Sequence, residues 1–485
     1  MLFNTLSYLV FLAVIVVLNW NLPHRARLIM LFIAGLVFYA SWRVEYLPLI
    51  FVPLLIDYFV AGWIADSKDP FIRKVLLVIS LVTNLGLLFI FKYLNFSAAA
   101  AAAVLDIFGL HVPVVTFDII LPLGISFYTF HTISYVVDVY RGFIPPVRSP
   151  LLFFDYVFFF PQLIAGPILR AREVIPQLAK LRAFEASDLG YGLRRLLYGL
   201  FLKVCLADQI AGMVDLGFAS PVEALSAFDV CTLAFMFGFQ IYFDFSAYSH
   251  IAIGSARMCG IVFPENFNFP YSSCSPREFW QRWHISLSSW IRDYLYLPLT
   301  GARVSDRSEG GLSSETVSTE GRHATMALFV TWALMGLWHG ANFTFLLWGL
   351  WHAVLVYIFR LTRPWTATLP AAVRTIGGWV WTVPLVMLGW ILFRATSVTQ
   401  ALQMYQVLLS PSRYTFFGLR EWTYLVAACL MVLIVLAPLA QRIAQRLGKR
   451  STTAYAGIEV IVLTAVAVGV VVFLRPISQF IYFQF

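Results

Sequence analysis

Long apolar runs separated by short polar segments set the pattern of this chain. A bilayer-crossing helix needs about 20 predominantly apolar residues. Clear candidates are Leu2–Trp20, Leu28–Trp42, Leu47–Ile64, Val75–Phe91, Leu196–Phe218, Thr232–Gly254, Met326–Trp338, Phe343–Phe359, Trp379–Phe393, Trp422–Ala437 and Ile458–Leu474. Some are short for a span and are expected to be tilted, broken or longer than the apolar run itself. Ile119–Val139 and Leu151–Ile168 are also apolar but contain proline and glycine. They read as broken or re-entrant elements buried in protein, because irregular backbone cannot face lipid. The pattern predicts an all-α, polytopic membrane protein with about 11–13 spans and added re-entrant and amphipathic helices. Residues 1–485 form a single integral membrane domain in this reading.

The polar segments orient the runs. Arg25 and Arg27 follow the first span, and almost no charge precedes it, so the positive-inside rule places the N-terminus outside. The Leu2 run lacks a basic leader and a small-residue cleavage site, and is expected to be retained as a span. Arg170 to Arg195 carries Arg170, Arg172, Lys180, Arg182, Arg194 and Arg195 against three acids, as a cytoplasmic loop would. Residues 301–323 are rich in Ser, Glu and Gly with mixed charges, and are expected to form an exposed polar loop that also solvates His323. The Ala98–Ala103 run favours helix. No internal repeat is evident, which counts against an inverted-repeat transporter.

Composition agrees with the pattern. The chain of 485 residues is 60% hydrophobic and only 12% charged, far from the soluble norm. Its net charge of +9 would suggest nucleic acid in a soluble protein; here it reflects basic loops beside a lipid bilayer, and no nucleic acid partner is expected. Five cysteines are scattered without ligand spacing and read as small apolar residues.

Candidate chemistry concentrates in two places. Gly336-Leu-Trp-His-Gly-Ala-Asn342 puts His339 inside an otherwise apolar segment. An ionisable residue there is costly unless paired and marks a functional site by default; a neutral histidine donating to a carbonyl is the alternative. A neutral imidazole in a dry site can take a hydroxyl proton while the oxygen attacks an activated carbonyl, a general-base step worth roughly 10²–10⁴-fold. The second place is the Tyr-, Trp- and Asn-rich region 243–300. From Pro276, residues Trp280, Trp283, Leu287, Trp290 and Tyr294 recur at helical spacing, which predicts an amphipathic helix with His284 against its apolar face. Trp283, Trp338 and Asn342, beside the two histidines, are candidates for touching acceptor or donor.

Other polar residues in apolar surroundings carry weaker signals. His352 lies about 20 Å from His339 on one continuous helix, at 1.5 Å per residue, and reads as a packed histidine outside the site. Asp57, Asp138, Asp155, Asp208 and Asp244 suit structural pairing, with Asp208, after Lys203, and Asp244 retained as candidate binding residues. Arg394 ends an apolar run, where snorkelling competes with binding an anionic donor. No carboxylate or thiol completes a metal site with the two histidines, so no metal is expected. No Gly-x-Ser-x-Gly elbow, Walker A motif or dinucleotide fingerprint occurs. A base without an activated nucleophile fits direct transfer to an incoming hydroxyl better than a covalent acyl-enzyme.

Several motifs stand together in order: Leu121-Pro-Leu-Gly-Ile-Ser-Phe-Tyr-Thr-Phe130, Phe160-Pro-Gln-Leu-Ile-Ala-Gly-Pro-Ile-Leu-Arg170, Tyr242-Phe-Asp-Phe-Ser246, Pro264-Glu-Asn-Phe-Asn268, Arg282-Trp-His-Ile-Ser-Leu-Ser288, Arg292-Asp-Tyr-Leu-Tyr-Leu-Pro298, Gly336-Leu-Trp-His-Gly340 and Gly389-Trp-Ile-Leu-Phe-Arg-Ala395. In these the chain resembles the membrane-bound O-acyltransferase (MBOAT) family, nearest to its bacterial alginate O-acetylation branch and further from its teichoic acid D-alanyl transfer branch. The resemblance implies a ring of tilted and re-entrant helices around a funnelled centre. It matches the family's essential histidine to His339 and a second position, Asn or His among relatives, to His284. It also implies a thioester donor, acyl-CoA (acetyl-CoA) or an acylated carrier, at the cytoplasmic side, and an acceptor outside, with no bound cofactor. Phe245-Ser-Ala-Tyr-Ser-His250 has alanine and histidine where relatives often have glycine and aspartate, which puts in doubt any role for that turn.

The reading is therefore a multi-pass bacterial inner-membrane O-acyltransferase, acetylating an exported polysaccharide directly or through periplasmic acetyltransferase partners. His339 is the expected base, and His284 is expected to orient a substrate or polarise the thioester carbonyl. D-alanyl or other acyl transfer to an envelope polymer, a transporter or flippase with a proton-relaying histidine, and a recruiting scaffold are the alternatives.

Overall fold

The computed structural model describes residues 1–164, 166–180, 182–302, 304–305, 313–314, 322–450 and 452–474. Most of the expected 301–323 loop lies outside the described residues; within it, Val304–Ser305 pairs antiparallel with Ser313–Ser314. All other regular structure among the described residues is helical. Helices α1 (Leu6–Asn21) and α2 (His24–Ala40) are followed by α3 (Leu47–Asp66), α4 (Pro70–Leu88) and α5 (Leu94–Ile107). Shorter helices α6 (Ile125–Arg141), α7 (Pro150–Phe158) and α8 (Ala171–Ala179) lead into α9 (Ala186–Phe201), α10 (Asp208–Ala219) and the 32-residue α11 (Ala227–Met258). Three short helices, α12 (Pro276–Arg282), α13 (Ile285–Ile291) and α14 (Leu297–Leu299), precede α15 (Arg322–His339), α16 (Phe343–Thr366), α17 (Ala371–Arg394), α18 (Val398–Leu409), α19 (Glu421–Arg450) and α20 (Thr452–Phe473).

Among the described residues, 8 helical stretches are long and apolar enough to cross a membrane, with the shorter apolar α1 beside them. Two expected spans grow because π-helical segments splice neighbouring helices. Phe89–Tyr93 joins α4 to α5 into the 38-residue stretch Pro70–Ile107, and Leu202–Ala207 joins α9 to α10. The two proline- and glycine-containing stretches are irregular and enclosed. Helix α6 starts only at Ile125, after Gly124 at φ +74°, and α7 gives way to a 3₁₀ turn at Phe160–Gln162 whose side chains are buried.

The amphipathic helix expected from Pro276 to Tyr294 is instead broken. Helix α12 stops at Arg282, His284 adopts left-handed backbone angles (φ 41°, ψ 56°), and α13 restarts at Ile285. Tertiary hydrogen bonds replace the helical ones. Asn268 N donates to Arg282 O at 2.9 Å and Ile285 N to Asn266 O at 2.9 Å.

Helix α11 is the central element: 78% of its apolar window is buried, against 6% for α20. It crosses α9 where a Cβ on Gly192 would sit 2.6 Å from Gly254 O, and one on Gly254 2.6 Å from Gly192 O. Small residues allow this approach, as they do between membrane helices generally. Charge is segregated along the bundle. Arg27 bonds to Arg182 O, Arg257 to Asp188, Arg148 to Asp66 and Arg170 to Asp293, gathering one arginine-rich end. The opposite end has few cations, among them Arg394 on Asp215 and Arg413 on Glu223 O.

Candidate active site

Helices α15 and α16 form a tight hairpin. A Cβ on Gly336 would meet Phe345 O at 2.2 Å, and one on Gly349 would meet Trp332 O at 2.1 Å. The small residue before His339 thus admits a neighbouring helix. Asn342 caps α16 by accepting from Thr344 N at 3.1 Å. His339, the last residue of α15, is 4% exposed. Its ring packs 4.9 Å from Trp338, 5.0 Å from Trp348 and 5.3 Å from Phe393.

Next to it is a cavity of about 310 Å³, lined by Leu2, Trp42, Lys92, the 121–127 segment, Ile164, Trp338 and His339. Leu2, Trp42 and Leu121 lie at the ends of α1, α2 and α6 remote from His24 and Arg141, so the cavity faces away from the arginine-rich end. Trp338 closes it on one side, stacked 5.3 Å from Phe130. The indole N–H groups of Trp338 and Trp348 are buried with no acceptor among the described residues.

His284 also neighbours Trp338, their rings 6.4 Å apart, and packs 4.5 Å from Phe245. Its surroundings fix its tautomer. Asn266 Oδ1 accepts from Ser286 N at 3.2 Å and from Ser286 Oγ at 2.9 Å, and lies 3.2 Å from His284 Nδ1. A backbone N–H can only donate, so this Asn266 atom is the oxygen and His284 Nδ1 carries the hydrogen. Nε2 is then left as an acceptor, with no hydrogen-bond partner among the described residues. Of the two roles expected for His284, orienting a hydroxyl fits this neutral tautomer; polarising a carbonyl needs a donor there.

The remaining candidates have definite places. Trp283, 1% exposed, packs between Phe279, Phe267 and Trp390. Asp208 and Asp244 come together on the buried Lys203, at 2.9 and 2.6 Å. Arg394 pairs with Asp215 at 2.6 Å, while its neighbour Phe393 covers His339. The hairpin also brings His352 nearer than a continuous helix would: His339 and His352 both pack on Trp348, at 5.0 and 4.9 Å. His352 Nδ1 accepts from Trp280 Nε1 at 3.3 Å, within a tryptophan cage.

Sequence reasoning passed over two residues. Lys92, in the π segment of the α4–α5 stretch, donates to Trp338 O at 2.5 Å and His339 O at 3.1 Å. Asn266, which sets the His284 tautomer, stood unremarked in Pro264-Glu-Asn-Phe-Asn268. A lysine beside an apolar run was the available signal for the first. Among the described residues no group of three or more His, Cys, Asp or Glu side chains is arranged to hold a metal ion.

A buried histidine beside a cavity, with a second imidazole packed near the same indole ring, can deprotonate a hydroxyl away from water. Residues 147–401 match the membrane-bound O-acyltransferase family. The chain is 38% identical to a protein named "Probable alginate O-acetylase AlgI" of Azotobacter vinelandii, over 88% of this chain and 82% of that one. It is 34% identical to the peptidoglycan O-acetyltransferase of Helicobacter pylori, over 77% of this chain and 72% of that one. Identity to the teichoic acid D-alanyltransferase of Bacillus subtilis is 29%, over 50% of this chain and 60% of that one. The chain belongs to the membrane-bound O-acyltransferase family.

Proposed function

We propose that the protein transfers an acetyl group from a thioester donor, acetyl-CoA or an acylated carrier, to a hydroxyl destined for an exported polysaccharide, directly or through a periplasmic acetyltransferase partner. Relatives named for O-acetylation of alginate and of peptidoglycan match most of the chain, while the D-alanyltransferases match about half of it. The single observation that carries the mechanism is the placement of His339 on the wall of a cavity, with Trp338 packed against both His339 and His284.

In this mechanism the acceptor hydroxyl gives its proton to His339 as its oxygen bonds to the thioester carbonyl carbon. The carbonyl oxygen takes up the negative charge; the indole N–H groups of Trp338 and Trp348, buried beside His339 and unpartnered among the described residues, are donors available to it. Collapse breaks the C–S bond, and the imidazolium returns the proton to the departing thiolate. His284 Nε2 accepts a hydrogen bond that aligns the hydroxyl before attack.

The charge segregation supports an orientation. The arginine-rich end carrying Arg27, Arg148, Arg170, Arg182 and Arg257 faces the cytoplasm, where the donor arrives, and the cavity opens toward the outer face of the inner membrane. The N-terminal end of α1 then lies outside. His339→Ala, in purified protein in nanodiscs with labelled acetyl thioester, is expected to abolish acyl transfer with unchanged membrane insertion. Wild-type transfer by that variant would refute the assignment.

A further inference from the structure

A second cavity, of about 400 Å³ and lined wholly by apolar residues, lies between α1 and α2. Phe11 and Leu18 mark its extent on α1, and α2 lines it from Ala26 to Val37. Each helix is fastened elsewhere, which holds the slot open. The Tyr8 and Ser255 hydroxyls bond at 2.7 Å, Asn19 donates to Cys259 O at 3.2 Å and Trp20 to Met258 O at 2.8 Å, tying α1 to α11 and the turn after it. Gly35 sets α2 directly against Phe158 of α7. The lining stretch of α2 is about 16 Å long at 1.5 Å per residue. That matches one leaflet's share of a hydrocarbon core about 30 Å thick. The far end is stopped by Phe11, stacked 6.1 Å from Phe38. Ile33 and Val37, on its rim, are exposed on the outside of the bundle.

The near end is charged. The lining stops at Leu18 and Ala26, next to Trp20, Arg25 and Arg27. Arg25 is exposed. Arg27 lies 5.4 Å from the centre of the Trp20 ring and donates to Arg182 O at 3.1 Å and Leu22 O at 3.4 Å. Among the described residues neither arginine has a carboxylate partner; the nearby Asp188 is taken by Arg182 and Arg257. Carbonyls orient a guanidinium without neutralising it. An apolar slot one leaflet long, with two unneutralised cations where a tryptophan marks the interface, matches an acyl chain that ends in an anionic headgroup. We propose that this slot is a specific site for an anionic phospholipid of the leaflet at the arginine-rich end, with one acyl chain between α1 and α2 and its phosphate on Arg25 and Arg27. The other ends of the same two helices bring Leu2 and Trp42 to the cavity beside His339. A chain wedged between α1 and α2 therefore also sets the width of that cavity. The lipid site stands without the acyl-transfer reading, and only its effect on the cavity rests on that reading.

The test titrates the full-length protein in mild detergent with phosphatidylglycerol or phosphatidylcholine of the same chains and counts bound lipid by native mass spectrometry. With about fivefold from each arginine, the wild type should hold one phosphatidylglycerol about 25-fold more tightly than phosphatidylcholine. Arg25→Gln with Arg27→Gln should remove most of that preference, and Arg25→Lys with Arg27→Lys should keep it. Ile33→Trp, which fills the slot from its exposed rim and leaves the charges alone, should weaken both lipids. Glycerol phosphate, the headgroup without a chain, should not displace the lipid. Equal binding of the two lipids by wild type, an unchanged preference in the glutamine pair, wild-type binding by Ile33→Trp, or displacement by glycerol phosphate would each overturn the proposal. If the glutamine pair does not fold, Arg25→Gln alone is titrated, with about a fivefold loss expected and no loss refuting the headgroup contact. Labelled acetyl transfer is then compared in nanodiscs with and without phosphatidylglycerol, where its omission should cost about fivefold or more. Transfer indifferent to the lipid would overturn the link to the cavity; absence of transfer in every lipid would count against the acyl-transfer reading, while the lipid count still decides the site.

Discussion

Asn266 offers the sharpest test of how the site is built. Replacing it with alanine removes the oxygen that accepts from Ser286 N–H, Ser286 Oγ and His284 Nδ1. The Ser286 hydroxyl can turn elsewhere. The other two donors are buried; Ser286 N–H stays unmet and His284 Nδ1 keeps only the Ser286 hydroxyl at 3.5 Å, a poor replacement, at about 1–3 kcal/mol each. The left-handed backbone of His284 holds about 1–3 kcal/mol of strain, part of which is recovered when the segment relaxes. The net loss is then about 2–4 kcal/mol, concentrated on His284. At about 1.4 kcal/mol per tenfold, a misaligned His284 costs roughly 30- to 700-fold in kcat/KM. Asn266→Asp keeps an acceptor oxygen toward Nδ1 and gives up only the bond from Asn266 Nδ2 to Ser249 Oγ at 3.1 Å. It is expected to exceed the alanine variant at least tenfold. The assay is labelled acetyl transfer in nanodiscs, with thermal unfolding measured on the same preparations. Equal activities for the two variants, or an alanine variant within threefold of wild type, would show that the tautomer is not set by Asn266.

Other expectations follow from single contacts. Gly336→Val forces a side chain into a gap where a Cβ already meets Phe345 O at 2.2 Å; it should cost about 3 kcal/mol or more by prising α15 from α16, read as a lowered melting temperature with loss of transfer. Asp244→Ala removes one of the two carboxylates seen on the buried Lys203 among the described residues, Asp208 staying in place, and should destabilise by about 2–4 kcal/mol, toward the low side of a broken buried pair. Lys203→Met with Asp244→Leu should then recover much of that loss in thermal unfolding, and failure to recover would argue against a structural pair. Arg394→Gln gives up an ion pair to an Asp215 side chain that is 55% exposed. The cost should stay below about 1 kcal/mol with transfer retained, and a large rise in donor KM would restore Arg394 as a donor contact.

Much of this organisation was legible in the apolar pattern, because hydropathy in lipid follows from backbone satisfaction and not from partner detail. The spans around Asp57, His352 and Asp244 and the enclosed irregular stretches at Gly124 and Phe160 follow from it. His339 stood out for the same reason: one ionisable group in an apolar run. The break at His284 was not legible. The periodicity from Trp280 to Tyr294 is helical, and only tertiary hydrogen bonds from Asn266 and Asn268 stop the helix between them. Lys92 was passed over because the apolar run ends at Phe91, where a lysine looks like an anchor at a span's edge. A π segment carries the helix on to Ile107, and the lysine turns inward. The joining of Asp208 and Asp244 through Lys203 likewise needed the packing of α11 against the α9–α10 splice.

The backbone at position 284 restricts which residues evolution can try there before any chemistry is considered. Positive φ excludes the β-branched residues almost entirely and favours glycine, asparagine, aspartate and histidine. Of these, histidine and asparagine are the two that the family resemblance puts at this position. A change of catalytic partner in related enzymes would therefore be confined to a very short menu, written by a dihedral angle.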